Sequence, residues 1–344
     1  MFNLSSLRDR YTQFFVLFIF CSLTYVMGHS IGPGITNFQD NLYKRFYLIE
    51  KANLLRMKLG DRILPISLIG KDGWVDYTGD GNIDDFQNLK PFKNKKDLFK
   101  KLRTLNRYLK SQGIRFLIVV VPNKATIYPD KLPEQIRSLP TQSRLDQFIT
   151  HFENQTPPIV VDLRPSLEAA RENQDVYFKE NNTHWNGYGA FVAYTTIIHA
   201  LRSSYPELKP YEPADLKIMP ADPSLNIPGP YFAPKDFLVQ TLYPGNDNGR
   251  NKFLGLDYGY NQYSSIPDSQ LPTLLMFHDS FGVYYLNNYL TMNFGKSHFV
   301  HLVSTTQYLT KASIQQFNPD VVIIQIVERD LDMLVNTLVN FGSK

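Results

Sequence analysis

The stretch LPTLLMFHDSFG, residues 271–282, decides the fold. Leu274 to Phe277 are consecutive apolar residues, which suits a strand covered on both faces rather than one with a wet side. The run breaks at His278-Asp279-Ser280, and Val283 to Leu290 then reads as helix-forming. A serine at such a strand-to-helix corner is accessible. The free N–H groups of a following helix can stabilise a developing oxyanion, while the hydroxyl still needs a base to become a nucleophile. These residues alone do not separate a nucleophile from a serine that merely caps the helix.

Working outward, the same device recurs three times. FLIVVV (116–121) is stopped by Pro122, Ile159 to Leu163 is a second run, and VVIIQIV (321–327) a third. Between them lie helical patterns. Leu98, Leu102, Leu105 and Leu109 recur at intervals of four, three and four and mark one apolar stripe, which Gly113 can end in the left-handed conformation. A further helix is expected near Ser143 to Glu153. Strands alternating with helices predict an α/β fold with a mainly parallel sheet, whose functional residues gather where the strands end.

The 344 residues, 43% hydrophobic, are ample for a large core, and 36 basic against 32 acidic side chains leave no excess that calls for nucleic acid as a partner. Cys21 is the single cysteine, so intrachain disulfides and cysteine zinc sites are excluded. It falls in the uncharged apolar run Phe14 to Met27, at the lower limit for spanning a bilayer core of about 30 Å. Arg8 and Arg10 precede the run. The positive-inside bias therefore predicts a single-pass signal anchor in the cell membrane, with everything after about residue 28 on the extracytoplasmic face; a cleaved signal peptide shares these features. The expected organisation is a cytoplasmic tail and anchor over 1–28, a stalk over 29–63 with a helix around Leu42 to Leu59, and a catalytic body over 64–344.

The second chemical signal is NNTHWNGYGA, residues 181–190, a polar loop leading into a helix that carries Phe191, Tyr194, Ile197, Ile198 and Leu201. An accessible imidazole at His184 has the chemistry of a general base for a serine. His278, two residues before Ser280, is the runner-up. Asp80 to Asp85 resembles the start of a calcium loop but has Asp85 at the sixth place and Pro91 at the twelfth, so it reads as a solvated turn. No Gly-rich phosphate loop or HExxH pattern occurs; neither a cofactor nor a metal is expected.

These two segments, in this order, resemble the SGNH hydrolase-like domain of the AlgX and AlgJ alginate O-acetyltransferase family. Further shared elements are Gly70-Lys71-Asp72-Gly73-Trp74, the segment Val119 to Pro133, Val160 to Pro165, and the closing Pro319 to Val322 with Glu328-Arg329-Asp330-Leu331. The resemblance covers about residues 64 to 335. It implies an SGNH-hydrolase-like three-layer α/β sandwich behind one N-terminal transmembrane helix, closer to the anchored AlgJ type because the chain ends soon after the closing motif.

The implied activity is O-acetyl transfer to an exported polysaccharide, or ester hydrolysis, through an acetyl-serine, with the acetyl group presented by a multi-spanning membrane acyltransferase. Ser280 and His184 match the family's nucleophile and base. Asn182 stands where the family usually has the aspartate that orients the histidine. Three outcomes follow: a slower Ser-His-Asn system, a carboxylate recruited from elsewhere, or an inactive relative that binds polysaccharide as a scaffold. Asp162 and Glu328, at strand ends, could supply the charge, and Asp279 and Arg329 belong to the same rim. Trp74, Tyr77, Tyr284 and Tyr285 are candidate sugar-stacking aromatics, with core packing an equal alternative.

Overall fold

The computed structural model describes residues 13–25, 45–64, 66–136, 139, 141–180, 182–219, 231–234, 240–242, 262–266, 269–302, 309–338 and 341. The chain divides into two compact units, Met1–Leu64 and Pro65–Lys344. The first holds a helix over residues 13–25 with exposed side chains and a helix Arg45–Lys58. Among the described residues no helix is long and apolar enough to cross a membrane. The end of the apolar run and the first part of the expected stalk, residues 29–44, lie outside the described residues.

The second unit opens with an antiparallel pair, β1 (Ser67–Ile69) and β2 (Val75–Tyr77). There follow α1 (Lys95–Ser111), β3 (Arg115–Val121), α2 (Arg144–Phe152), β4 (Val160–Asp162), α3 (Arg164–Arg171) and α4 (Gly187–Leu201). The chain continues through β5 (Gln240–Leu242), β6 (Gln262–Ser265), β7 (Thr273–His278), β8 (Lys296–His301), α5 (Lys311–Phe317) and β9 (Val321–Val327). Seven strands form one sheet in the order β4-β3-β9-β7-β8-β6-β5. The pairings from β4 to β8 are parallel; β6 and β5 add an antiparallel edge. The sheet is therefore mixed.

The strand runs are continuous because both faces are covered. Leu117, Val119, Val121, Met276 and Ile323 pack with Leu167 of α3 and Tyr194, Ile197 and Ile198 of α4. Their neighbours Phe116, Ile118, Val120, Phe277 and Ile324 pack on the other face with the leucines of α1, Phe148 and Phe152 of α2 and Ile314 of α5. That makes three layers. The predicted α1 stripe is buried, and Gly113 beyond it has φ 75°.

The structure selects one of two readings for the aromatics and corrects one expectation. Trp74 and Tyr285 are core residues at 3% and 1% exposure, because Trp74 stacks on Tyr128 at 4.1 Å and Tyr285 packs among the α4-side apolar residues. Tyr77 is half-buried, and the side chain of Tyr284 lies outside the described residues. The Asp80 to Asp85 segment is not a solvated turn: it runs into a short helix, Asn82–Phe86, with Asp85 buried.

The topology places the site. From β3 the chain moves outward to β4, from β7 it moves the opposite way to β8, and β9 inserts between β3 and β7. The carboxyl ends of β3, β9 and β7 are thus adjacent, which is where an open α/β sheet offers a crevice. Leu105→Ala, which empties a fully buried position, should destabilise the protein by about 2–5 kcal/mol in urea unfolding. Ser280→Ala, at a half-buried turn, should cost under about 1 kcal/mol.

Candidate active site

Ser280 is set by the residue before it. Asp279 is buried at the end of β7, and its Oδ1 accepts from the Phe281 amide at 2.8 Å and from Gln325 Nε2 at 2.7 Å. Its Oδ2 accepts from the Val327 amide at 2.7 Å. One carboxylate therefore closes the serine turn and ties β7 to the neighbouring β9. Burial pushes the Asp279 carboxyl up, and the three donors oppose the shift. After the turn comes a π-helical segment, Gly282–Leu286, rather than a regular α-helix. The Phe281 and Gly282 amides are spent on Asp279, on Oδ1 and on the carbonyl at 3.1 Å. These two are therefore not the free helix donors expected from the sequence.

His184 comes from the loop before α4. That loop is a return held by a bridge between Tyr177 and Trp185, by the Phe178 amide donating to the His184 carbonyl at 3.2 Å, and by Asn186, whose Oδ1 caps α4 at the Gly189 amide. Trp185 is fully buried, edge-on to Phe281 at 5.3 Å, so the residue after the base packs against the residue after the serine. The ring of His184 itself lies 4.7 Å from that of Phe281.

The two segments meet. His184 Nε2 lies 2.8 Å from Ser280 Oγ, and His184 Nδ1 lies 2.9 Å from Asn182 Oδ1. The same Oδ1 accepts the His184 backbone N–H at 3.0 Å. A backbone N–H can only donate, so the amide oxygen, not its NH2, faces the ring, and Nδ1 must carry the proton. The lone pair of Nε2 is left facing the serine. Burial first and the Arg329 charge second lower His184 to about 3, with Asp80 opposing. The imidazole is neutral.

The other sequence-derived candidates are placed differently. His278 is fully buried, with Nδ1 against the Asp279 carbonyl at 2.8 Å and Nε2 against Asn287 at 3.2 Å, and burial lowers it to about 3. Its role is packing: a Cβ at Gly282 would sit 2.5 Å from its ring. Asp162 is committed to Arg164 at 2.8 Å, which also binds Asp146, so it forms an edge-strand ion pair and not a support for His184.

Glu328 is buried and accepts from the Asn123 amide at 2.8 Å and from Thr126. Arg329 donates to Asn123 Oδ1 at 2.8 Å, pairs with Asp80 at 3.1 Å and stands 5.6 Å from the Phe281 ring. Asn123 Nδ2 in turn donates to Asp85, which pairs with buried Arg144. Sequence reading missed Asp80, Asp85, Asn123 and Arg144. Two signals were available: Asn123 follows the break of the 116–121 run, and Gln325 interrupts the last strand. Among the described residues no group of three His, Cys, Asp or Glu side chains is placed to hold a metal ion.

Residues 68–226 match the family described as SGNH hydrolase-like domain, acetyltransferase AlgX. Asn182 and His184 lie inside that match and Ser280 beyond it. The probable alginate O-acetylase AlgJ of Pseudomonas aeruginosa is 27% identical over 129 residues, 37% of this chain and 30% of that protein. AlgJ of Pseudomonas fluorescens is 23% identical over 227 residues, 64% of this chain and 55% of that protein. The chain thus spans about a third to about half of the length of these relatives. PatB1 of Bacillus cereus, solved with a sulfonyl adduct, superposes with a TM-score of 0.56 over 79% of this chain and 97% of that one, at 18% identity, a likeness of fold. The chain resembles AlgX and AlgJ proteins, as its motifs indicate.

Burial and the neighbouring Asp85 charge raise the Glu328 carboxyl from 4.5 to about 7. A carboxyl raised in the fold binds more protons folded than unfolded between those values. Its contribution to stability is therefore full below pH 4.5 and lost as pH rises through about 7. Glu328→Gln should flatten that decline in urea melts at pH 5 and pH 8; an unchanged slope would assign it to other groups.

Proposed function

We propose that the chain is a serine-dependent O-acetyltransferase or acetylesterase acting on an exported polysaccharide, with Ser280 as nucleophile, His184 as general base and Asn182 holding the imidazole. The observation that carries this reading is the 2.8 Å contact between Ser280 Oγ and a His184 nitrogen whose lone pair faces it. Oγ attacks the carbonyl carbon of an acetyl donor and its proton passes to Nε2. The tetrahedral intermediate collapses as Nε2 returns the proton to the leaving oxygen, which gives an acetyl-serine. A sugar hydroxyl then attacks, His184 takes its proton and returns it to Oγ, and the O-acetylated sugar leaves. Water in place of the sugar makes the reaction hydrolysis.

Support for the acceptor class comes from the AlgJ relatives, named as probable alginate O-acetylases. The apolar run from Phe14 and the preceding Arg8 and Arg10 favour a single-pass membrane anchor with the catalytic unit outside the cytoplasm. A multi-spanning membrane acyltransferase is the proposed source of acetyl groups. Asn182 favours one second reading, a polysaccharide-binding scaffold, because it gives the imidazolium no counter-charge.

A chromogenic acetyl ester separates the two. The purified chain should turn it over, and Ser280→Ala should reduce kcat/KM by about 10³-fold or more; absence of any burst or turnover in the wild type selects the scaffold. Asn182→Asp should raise kcat by about tenfold, since it supplies charge at an orienting position; equal or lower activity would mean that a missing charge does not limit the rate. Because His184 titrates at about 3 and not 6.5, kcat/KM should show no histidine limb near pH 6.5. A limb there that persists in Glu328→Gln would contradict a neutral buried base.

A further inference from the structure

Lys124 follows Asn123 just beyond β3 and is 1% exposed, yet among the described residues no carboxylate forms an ion pair with its ammonium. Nζ instead donates to main-chain carbonyls, Val75 of β2 at 2.7 Å and Glu180 at 2.9 Å, with those of Lys179 and Asn182 at 3.4 Å. The Trp74 ring lies 5.2 Å away. Three of these four carbonyls belong to residues 179–182, the segment that delivers Asn182 and, two residues on, His184. A buried ammonium is costly unless its donors are satisfied, and an apolar residue of the same length would fill the space without that cost. Four convergent carbonyls give the charge a local purpose.

We propose that Lys124 is the positioning residue for the base, clamping the carbonyls of Lys179, Glu180 and Asn182 so that the Asn182–His184 pair stands against Ser280. The clamp links the base to the sheet that carries the nucleophile. Lys124 opens a short helix, Lys124–Ile127, just beyond the end of β3, β9 lies beside β3, and Asp279 ties β9 to the serine turn. The inference rests on the catalytic reading above. Burial lowers Lys124 to about 8, opposed by Asp76 of β2 and Glu180 of the clamped loop, so the clamp weakens as pH rises through that value.

The experiment compares wild type with Lys124→Met and Lys124→Arg, in the full chain, using the chromogenic acetyl ester and labelling of Ser280 by a sulfonyl fluoride. Lys124→Met should lower kcat and the labelling rate by about 10- to 100-fold, with KM within about threefold, because misplacing a base by about 1 Å has that effect. Lys124→Arg, which keeps the charge, should recover part of the loss. Wild-type kcat should fall above about pH 8, and the limb should be absent in Lys124→Met. A role confined to stability would lower Tm with kcat per labelled serine unchanged, and that result overturns the proposal.

Should Lys124→Met not fold, the wild-type profile decides: a kcat flat from pH 7 to 9.5 rejects the clamp, and a limb near 8 upholds it. Ser280→Ala with wild-type activity, or a wild type inert to both reagents, overturns the catalytic reading and the clamp with it. Loss in Ser280→Ala together with full activity in Lys124→Met overturns the clamp alone.

Discussion

Asp279 accepts hydrogen bonds from the Phe281 amide, Gln325 and the Val327 amide, and so binds the end of β7 to the end of β9 with one buried side chain. Everything at the site is referred to this junction. The Phe281 bond bends the chain into the corner that presents Ser280, and the β9 bonds fix that corner against Glu328 and Arg329, the next residues of the chain. Gln325 explains itself here. It is the one polar residue in a strand buried on both faces, and its amide reaches the carboxylate that the strand ends need. Leaving Asp279 without those donors would strand a buried charge, a cost on the order of several kcal/mol.

Charge behind the serine is arranged as an alternating chain. Asp80, Arg329, Asn123, Asp85 and Arg144 succeed one another through direct contacts, with Glu328 on the Asn123 amide. Buried polar groups of this kind are tolerable where each faces a partner in the next, as the Asp80–Arg329 and Asp85–Arg144 ion pairs and the two Asn123 side-chain bonds do here. The arrangement has a side effect on the base. Arg329 adds positive charge near His184, and with burial this keeps the ring neutral, while Asp80 pulls the other way. Asp80 is therefore a carboxylate whose field acts on the imidazole through its place against Arg329.

Much of this was legible in the sequence. The apolar runs at 116–121, 271–277 and 321–327 specify strands buried on both faces, and the α1 leucines specify their cover. Ser280 and His184 were readable as a pair only through their flanking motifs, since neither residue's neighbourhood names a partner about a hundred positions away. The antiparallel edge was not legible: β5 and β6 are short strands, and Gln262-Tyr263-Ser264-Ser265 has no apolar alternation to mark it. Nor was the Asp80 to Asp85 segment, because carboxylates in a turn look solvated until buried Arg144 and Arg329 arrive from 59 or more residues away. Long-range ion pairs leave no local period. For the same reason Lys124 reads as one more basic residue after a strand.

In a Ser-His-Asp arrangement the acid both orients the imidazole and stabilises its charged form. In this chain the two tasks fall to different groups. Orientation is complete, because Asn182 Oδ1 takes the ring proton and the backbone amide of His184 together, at 2.9 and 3.0 Å. Charge is withheld there and enters at a distance, with Asp80 acting against Arg329. An aspartate at 182 would receive the same two donors, so the local hydrogen bonding does not explain the asparagine. What the asparagine changes is the ring's affinity for a proton. A neutral, weakly basic imidazole on a fully formed hydrogen-bond path is what results, and the rate at which Ser280 reacts then depends on how closely the surrounding fold holds that path together.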